Sequence, residues 1–219
     1  MLTLKDFIQK PKKVFSLKST FSEALESMNI DKLSHLPVID EGVFLGNLSL
    51  NDAETYPLDD EIVNSRSLFE VFFARENSFW FELIEIFAKN ETNIIPVLSN
   101  ENIFIGFYLL DDVVQFFKET PFLKENGTTI IVEKNLYQYS ISEISQIFEI
   151  NNSKIFGIII SEIIDQNIQI VIKATSVNIN EIIQSLRRYE YNIVSEHIED
   201  HFLSDLKDRS DYLDKYLNV

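Results

Sequence analysis

The chain has 219 residues, 45% of them hydrophobic and 12% aromatic, no cysteine, and 19 Lys and Arg against 35 Asp and Glu, for a formal net charge of −16. That apolar content excludes a disordered chain, and the missing thiols exclude disulfides, thiolate catalysis and sulfur-ligated metal sites. The acidic balance speaks against nucleic acid and against an anionic membrane surface, since both are bound mainly through Lys and Arg.

The start, MLTLKDFIQKPKK, places Asp6 and Gln9 where a secretory signal needs an unbroken apolar run. No uncharged apolar stretch reaches the roughly 18 residues of a membrane span. The most apolar region, Phe69–Phe87, is interrupted by Glu70, Arg75, Glu76, Glu82 and Glu85. A cytoplasmic location is the expectation.

An internal repeat dominates the first half. Residues 36–53 read LPVIDEGVFLGNLSLNDA and residues 95–113 read IPVLSNENIFIGFYLLDDV. Both give aliphatic–Pro–Val–aliphatic, a polar turn, an apolar run, a Gly, and an Asp six positions later. Pro37 pairs with Pro96, Gly46 with Gly106 and Asp52 with Asp112, and the second copy carries one extra residue in the turn Ser99–Asn102. An amphipathic helix precedes each copy (Phe21, Ala24, Leu25, Met28; Phe79, Leu83, Ile86, Phe87), and a short helical pattern follows each (Leu50–Thr55; Leu110–Phe117). Two such units in one chain predict pseudo-twofold packing, sheet against sheet.

The Ser49–Asp52 element supports two readings. Ser49 before a helix, with Asp52 three residues on, is a helix cap. The same geometry suits a ligand: a helix N-terminus offers free N–H groups to phosphate, and a carboxylate accepts from the hydroxyls of a ribose.

The aliphatic–Pro–Val strand, followed by Gly46-Asn47-Leu48-Ser49-Leu50-Asn51-Asp52 and Gly106-Phe107-Tyr108-Leu109-Leu110-Asp111-Asp112, resembles a tandem pair of CBS domains over about residues 10–120. The resemblance implies that the Ser/Thr contacts phosphate, the Asp contacts ribose, and the aliphatic–Pro strand walls the adenine. Carried over, it names Leu36, Pro37, Ser49 and Asp52 for one site and Ile95, Pro96 and Asp112 for the other. Asn47 departs from the apolar pattern, and Leu109 replaces the hydroxyl, so the second site keeps at most the ribose contact. The acidic surface favours AMP-like or adenosyl ligands over ATP. Lys18 and Lys32 are the nearby cations.

Pro121, Asn126 and Gly127 mark a break. Beyond it the pattern predicts a strand at Thr128–Lys134, a helix at Ser140–Ile150 opened by a Ser140–Glu143 capping box, and a hairpin of Ile155–Ile164 and Ile168–Thr175 about Asp165-Gln166-Asn167. A helix at Asn180–Tyr189 and a strand at Asn192–Ile198 follow. This β-α-β-β-α-β order is ferredoxin-like, and residues 127–199 resemble an ACT domain. The loop Lys134–Tyr139 has neither the Gly nor the Pro of amino-acid-binding ACT domains, so a pairing or coupling role is expected. The whole arrangement is similar to acetoin-utilisation protein B-like CBS–ACT proteins.

The fold class is therefore mixed α+β or α/β: a CBS-domain pair of two β-α-β-β-α repeats packed pseudo-twofold, then a ferredoxin-like ACT-like domain. The expected domains are residues 1–120 (repeats at about 10–58 and 68–120), 127–199, and an amphipathic C-terminal helix at 200–219. His197-Ile198-Glu199-Asp200-His201 lacks the HExxH base position and reads as a solvated junction rather than a metal clamp. His35 reads as a packed strand start. The cluster Phe69, Phe72, Phe73, Phe79, Trp80 and Phe81 reads as core with a share in a dimer contact. No nucleophile motif or Gly-rich phosphate loop is present, so no catalytic residue is expected. The function expected is a homodimeric regulatory sensor of an adenine nucleotide (AMP, ADP, ATP or S-adenosylmethionine) that signals to a protein partner. The alternative is a ligand-free interaction scaffold in which Ser49 and Asp52 only cap.

Overall fold

The computed structural model describes residues 4–195. They form two compact units that divide between Glu119 and Thr120.

The first unit holds the repeat. In copy one, α1 (Phe21–Asp31) leads to β1 (His35–Asp40), β2 (Val43–Ser49) and the short α2 (Leu50–Ala53). In copy two, β3 (Ala74–Arg75) precedes α3 (Trp80–Lys89), β4 (Ile94–Leu98), β5 (Phe104–Leu109) and α4 (Leu110–Lys118). Helix α1 starts at a reciprocal cap: the Thr20 hydroxyl accepts from the Glu23 N–H at 3.3 Å while the Glu23 carboxylate accepts from the Thr20 N–H at 3.4 Å. Its Phe21, Ala24 and Met28 are buried. The expected inward Phe79 proves to be the cap residue of α3 and is exposed, because its N–H donates to the Glu82 carboxylate at 2.9 Å and the helix begins one residue later. Trp80, Leu83 and Phe87 are the buried residues of α3.

The copies are related by a pseudo-twofold exchange. β1 pairs antiparallel with β2, and β4 with β5, each with a register shift after the Val of the Pro–Val pair. Phe15 lies parallel to Val38 as Ala74 lies parallel to Val97. Each leader segment then crosses to the other copy. Gln9 exchanges both backbone hydrogen bonds with Phe107 on β5, and Glu70 exchanges both with Asn47 on β2, all at 2.8–3.0 Å. On the axis itself Val43 bridges Ile103. There too the Ser34 N–H donates to Asn93 Oδ1 and the Asn93 N–H to Ser34 Oγ, each at 2.9 Å. Gly46 and Gly106 sit under the two crossings at φ +151° and +153°. A Cβ on Gly106 runs into the Gln9 carbonyl, and one on Gly46 comes within 2.8 Å of Phe69 Cβ. The two glycines of the repeat are thus where leader and strand backbones touch.

The second unit opens with a one-turn helix, α5 (Pro121–Lys124), where the sequence pattern indicated only a break. It continues as β6 (Thr128–Asn135), α6 (Ile141–Ile150), β7 (Ile155–Ile164), β8 (Asn167–Ala174), α7 (Ile179–Arg188) and β9 (Asn192–Ile193). The sheet order β7-β8-β6-β9, antiparallel throughout, is the ferredoxin-like arrangement. Ile130, Val132, Ile168, Ile170 and Ile172 pack with α6 and α7 in one core. Ser140 caps α6 by accepting from the Glu143 N–H, but the Glu143 carboxylate binds Lys134 at 3.1 Å instead of closing the box. The strand expected over Asn192–Ile198 ends at Ile193, with Val194 and Ser195 outside the strand; residues 196–198, the His197–His201 pair and the expected helix at 200–219 lie outside the described residues.

Candidate functional site

The first unit carries two hollows. The larger is bounded by the first leader, β1, β5 of the other copy and α1, and the smaller by the start of β1, the end of β2, Glu70 of the second leader and the residues that follow α3. They are unequal.

The larger, of about 380 Å³, is lined by Leu36, Pro37 and Ile39 from β1, by Ile94, Phe104, Phe107 and Leu109 from copy two, by α1, and by the leader Gln9–Phe15. Its walls are mostly apolar. Polar groups gather at the leader: Gln9 Nε2 donates to Asp112 Oδ2 at 2.6 Å. Lys13 pairs with Glu23 at 2.9 Å and Lys12 with Asp31 at 3.5 Å, tying leader to α1. Lys10 makes no ion pair among the described residues.

The smaller, of about 260 Å³, is lined by Ser34, His35, Ser49, Leu50, Asn51, Glu70, Asn90 and Glu91. Ser49 Oγ donates to Asp52 Oδ2 at 2.6 Å and accepts from the Asp52 N–H at 3.1 Å, so hydroxyl and carboxylate are turned on each other. His35 is buried, with Nδ1 2.9 Å from Ser34 Oγ and Nε2 3.5 Å from the Glu70 carboxylate. Burial pushes its pKa below the ordinary imidazole value, against the opposing pull of Glu70 and Asp52. Phe72 is buried edge-on to the His35 ring, centroids 5.3 Å apart. Asn47, the residue that departs from the apolar motif, fixes that segment: its Nδ2 donates to the carbonyls of Phe72 at 2.9 Å and Glu70 at 3.3 Å.

The candidates are therefore regrouped. Leu36 and Pro37 line the larger hollow, which Asp112 reaches through Gln9, whereas Ser49 lines the smaller one with Asp52 bound to it. Ile95 and Pro96 are buried on β4 and line neither. Sequence reasoning missed Gln9, Lys10 and Phe107, because the motif carries no sign of the leader that crosses from one copy to the other. Lys18 and Lys32 line neither hollow. Among the described residues no cluster of His, Asp or Glu is arranged to hold a metal ion, and no helix is long and apolar enough to cross a membrane.

This architecture, two strand–helix repeats exchanged about a pseudo-twofold axis, is that of a CBS-domain pair, followed here by a ferredoxin-like unit. Residues 4–57 match the CBS domain family. Among solved structures, a CBS domain pair/ACT domain protein from Thermotoga maritima is similar at 21% identity, over 54% of this chain and 98% of that one, with a TM-score of 0.48. The CBS domains of a transcriptional regulator from Streptococcus pneumoniae are similar at 16% identity, over 52% and 98%, with a TM-score of 0.46. The protein CBSX2, solved in complex with AMP, is similar at 20% identity, over 52% and 95%, with a TM-score of 0.43. No curated protein matches the chain.

Proposed function

We propose that the chain is a regulatory, non-catalytic sensor that takes an adenine nucleotide of the AMP class between its two repeats and relays occupancy to a partner protein. CBS domains commonly serve as regulatory modules for such ligands, and the match over residues 4–57 supports that class. The observation that carries the reading is the larger hollow: its volume of about 380 Å³ falls within the range of small-molecule sites. Its Leu36–Pro37 wall suits a flat ring, and Asp112 offers an acceptor for ribose. A ligand tying leader, β1 and β5 together shifts the balance between open and closed poses of the repeats, and a partner can read that difference.

The test is the melting temperature with AMP, ADP, ATP or S-adenosylmethionine at millimolar concentration. A ligand at about 100 times its Kd stabilises by about 2.7 kcal/mol. No shift with any of them favours a second reading, the interaction scaffold, which the Ser49–Asp52 hydrogen bond supports because it makes that pair a cap with no free donor.

The second unit, by this reading an ACT-like pairing module as in acetoin-utilisation protein B-like chains, makes the protein a homodimer. β7 is the outer strand of its sheet, ten residues long with a single charge, and Ile159, Ile160, Ile163 and Ile164 are 43–56% exposed. Such an edge is normally covered. Light scattering should give a dimer mass, and Ile160→Lys a monomer.

A further inference from the structure

We infer that Asn126 is a site of spontaneous chemical modification: in the folded chain its side-chain amide is lost through a cyclic imide formed with Gly127, and the isoaspartyl product loosens the start of β6. The inference concerns the second unit and does not depend on the sensing reading above.

Asparagine is a thermolabile residue because its side-chain carbonyl can be attacked by the backbone nitrogen that follows it. A following side chain obstructs that approach, and glycine, with no Cβ, leaves it open. Of the five glycines, only Gly127 follows an asparagine, and every other asparagine precedes a residue with a side chain. Asn126 and Gly127 are both exposed and belong to neither helix nor strand. They form the short link between α5 and β6. The β6 side of the link is pinned: Thr128 is in register with Ala174, and its Oγ lies 2.7 Å from Ser176 Oγ. The α5 side can yield. It is closed by the Glu125 N–H donating to the Pro121 carbonyl at 3.1 Å, and α5 has no buried residue. The Asn126 side chain makes no hydrogen bond among the described residues, so its amide is free to turn toward Gly127.

The fold also keeps the labile pair in place. A Cβ at position 127 would run into the Ala174 carbonyl, so the glycine that makes Asn126 reactive is the residue that lets β6 start against β8.

The Gly127 amide nitrogen gives its proton to solvent and bonds to Asn126 Cγ. The Cγ–Nδ2 bond breaks, and the nitrogen leaves as ammonia with a proton taken from solvent. Water then opens the imide. Cleavage of its bond from nitrogen to Cγ gives aspartate. Cleavage of the bond from nitrogen to the main-chain carbonyl carbon gives isoaspartate, whose backbone runs through Cβ and Cγ and is longer by one methylene. Both products add a negative charge, but only the second lengthens the chain beside the pinned Thr128.

The full chain incubated at mildly alkaline pH tests this by intact mass and peptide mapping. A gain of one mass unit is expected (ammonia out, water in), located at Asn126, together with methyl-ester labelling by an isoaspartyl carboxyl methyltransferase. Asn126→Gln, which would have to close a larger ring at an exposed position, is expected to slow the gain at least tenfold. The purified isoaspartyl form should melt below Asn126→Asp, which carries the same charge on an unaltered backbone. A gain seen in the urea-unfolded chain but not in the folded one overturns the inference. So does a gain that maps to another asparagine or persists in Asn126→Gln. An isoaspartyl form that melts together with Asn126→Asp overturns the loosening of β6.

Discussion

At the scale of single residues, His35 shows how a motif position can acquire a cost. The folded protein disfavours the imidazolium form, since burial outweighs the pull of Glu70 and Asp52. The unfolded chain binds the proton more readily, so stability falls as pH drops through the ordinary value of about 6.5 and stops falling below the folded value. Thermal melts between about pH 7.5 and 5.5 should show this slope, and His35→Ile, which copies the Ile94 of the other repeat, should flatten it. Gly106 offers a second test. Gly106→Ala combines a positive φ with a collision against the Gln9 carbonyl, whereas Gly42→Ala, at φ +84°, meets nothing within 4 Å. The first should lose about 2–4 kcal/mol in urea unfolding and the second about 1 kcal/mol. The repeat was legible because Pro, Gly and Asp keep their order. The grouping of Ser49 with Pro37 was not, because residues adjacent along the chain diverge into different hollows once strands cross between copies.

At the scale of elements, the hydrophobic period located the helices and strands of the second unit to within a residue or two. What escaped it were ends set by side-chain hydrogen bonds. Phe79 fits the apolar stripe, yet Glu82 captures its N–H and leaves the ring outside the helix. The Ser140 cap was visible, but Glu143 turns to Lys134, whose ammonium is nearly buried, also donates to the Tyr189 carbonyl at 2.7 Å and lies 4.2 Å above the Tyr191 ring. One lysine thereby joins β6, α6 and the end of α7. Lys134→Met keeps the stem but strands the carboxylate and the carbonyl. A loss of about 1–3 kcal/mol is expected, read as a lower urea midpoint of the second unit.

At the scale of the whole molecule, two compact units with separate cores predict two calorimetric transitions. A ligand held by the first unit should raise only the transition that Gly106→Ala lowers, leaving the one sensitive to Lys134→Met where it was. A nucleotide that moves both, or only the latter, places its site elsewhere. The change of sequence pattern near Pro121 falls beside the division of the two units between Glu119 and Thr120. The division of the candidate residues between two hollows was not readable in the sequence, since it depends on pairings that only the folded chain reveals.

The crossing of the leaders has one more consequence. Each copy borrows its outermost backbone partner from the other, so neither half is a self-sufficient folding unit despite its full set of strands and helices. Severing the connection near Asp59 should yield two pieces that are unfolded apart and recover structure when mixed. A duplication built in this way binds its two descendants together: either may drift in chemistry, as the hollows have, but neither can be dispensed with.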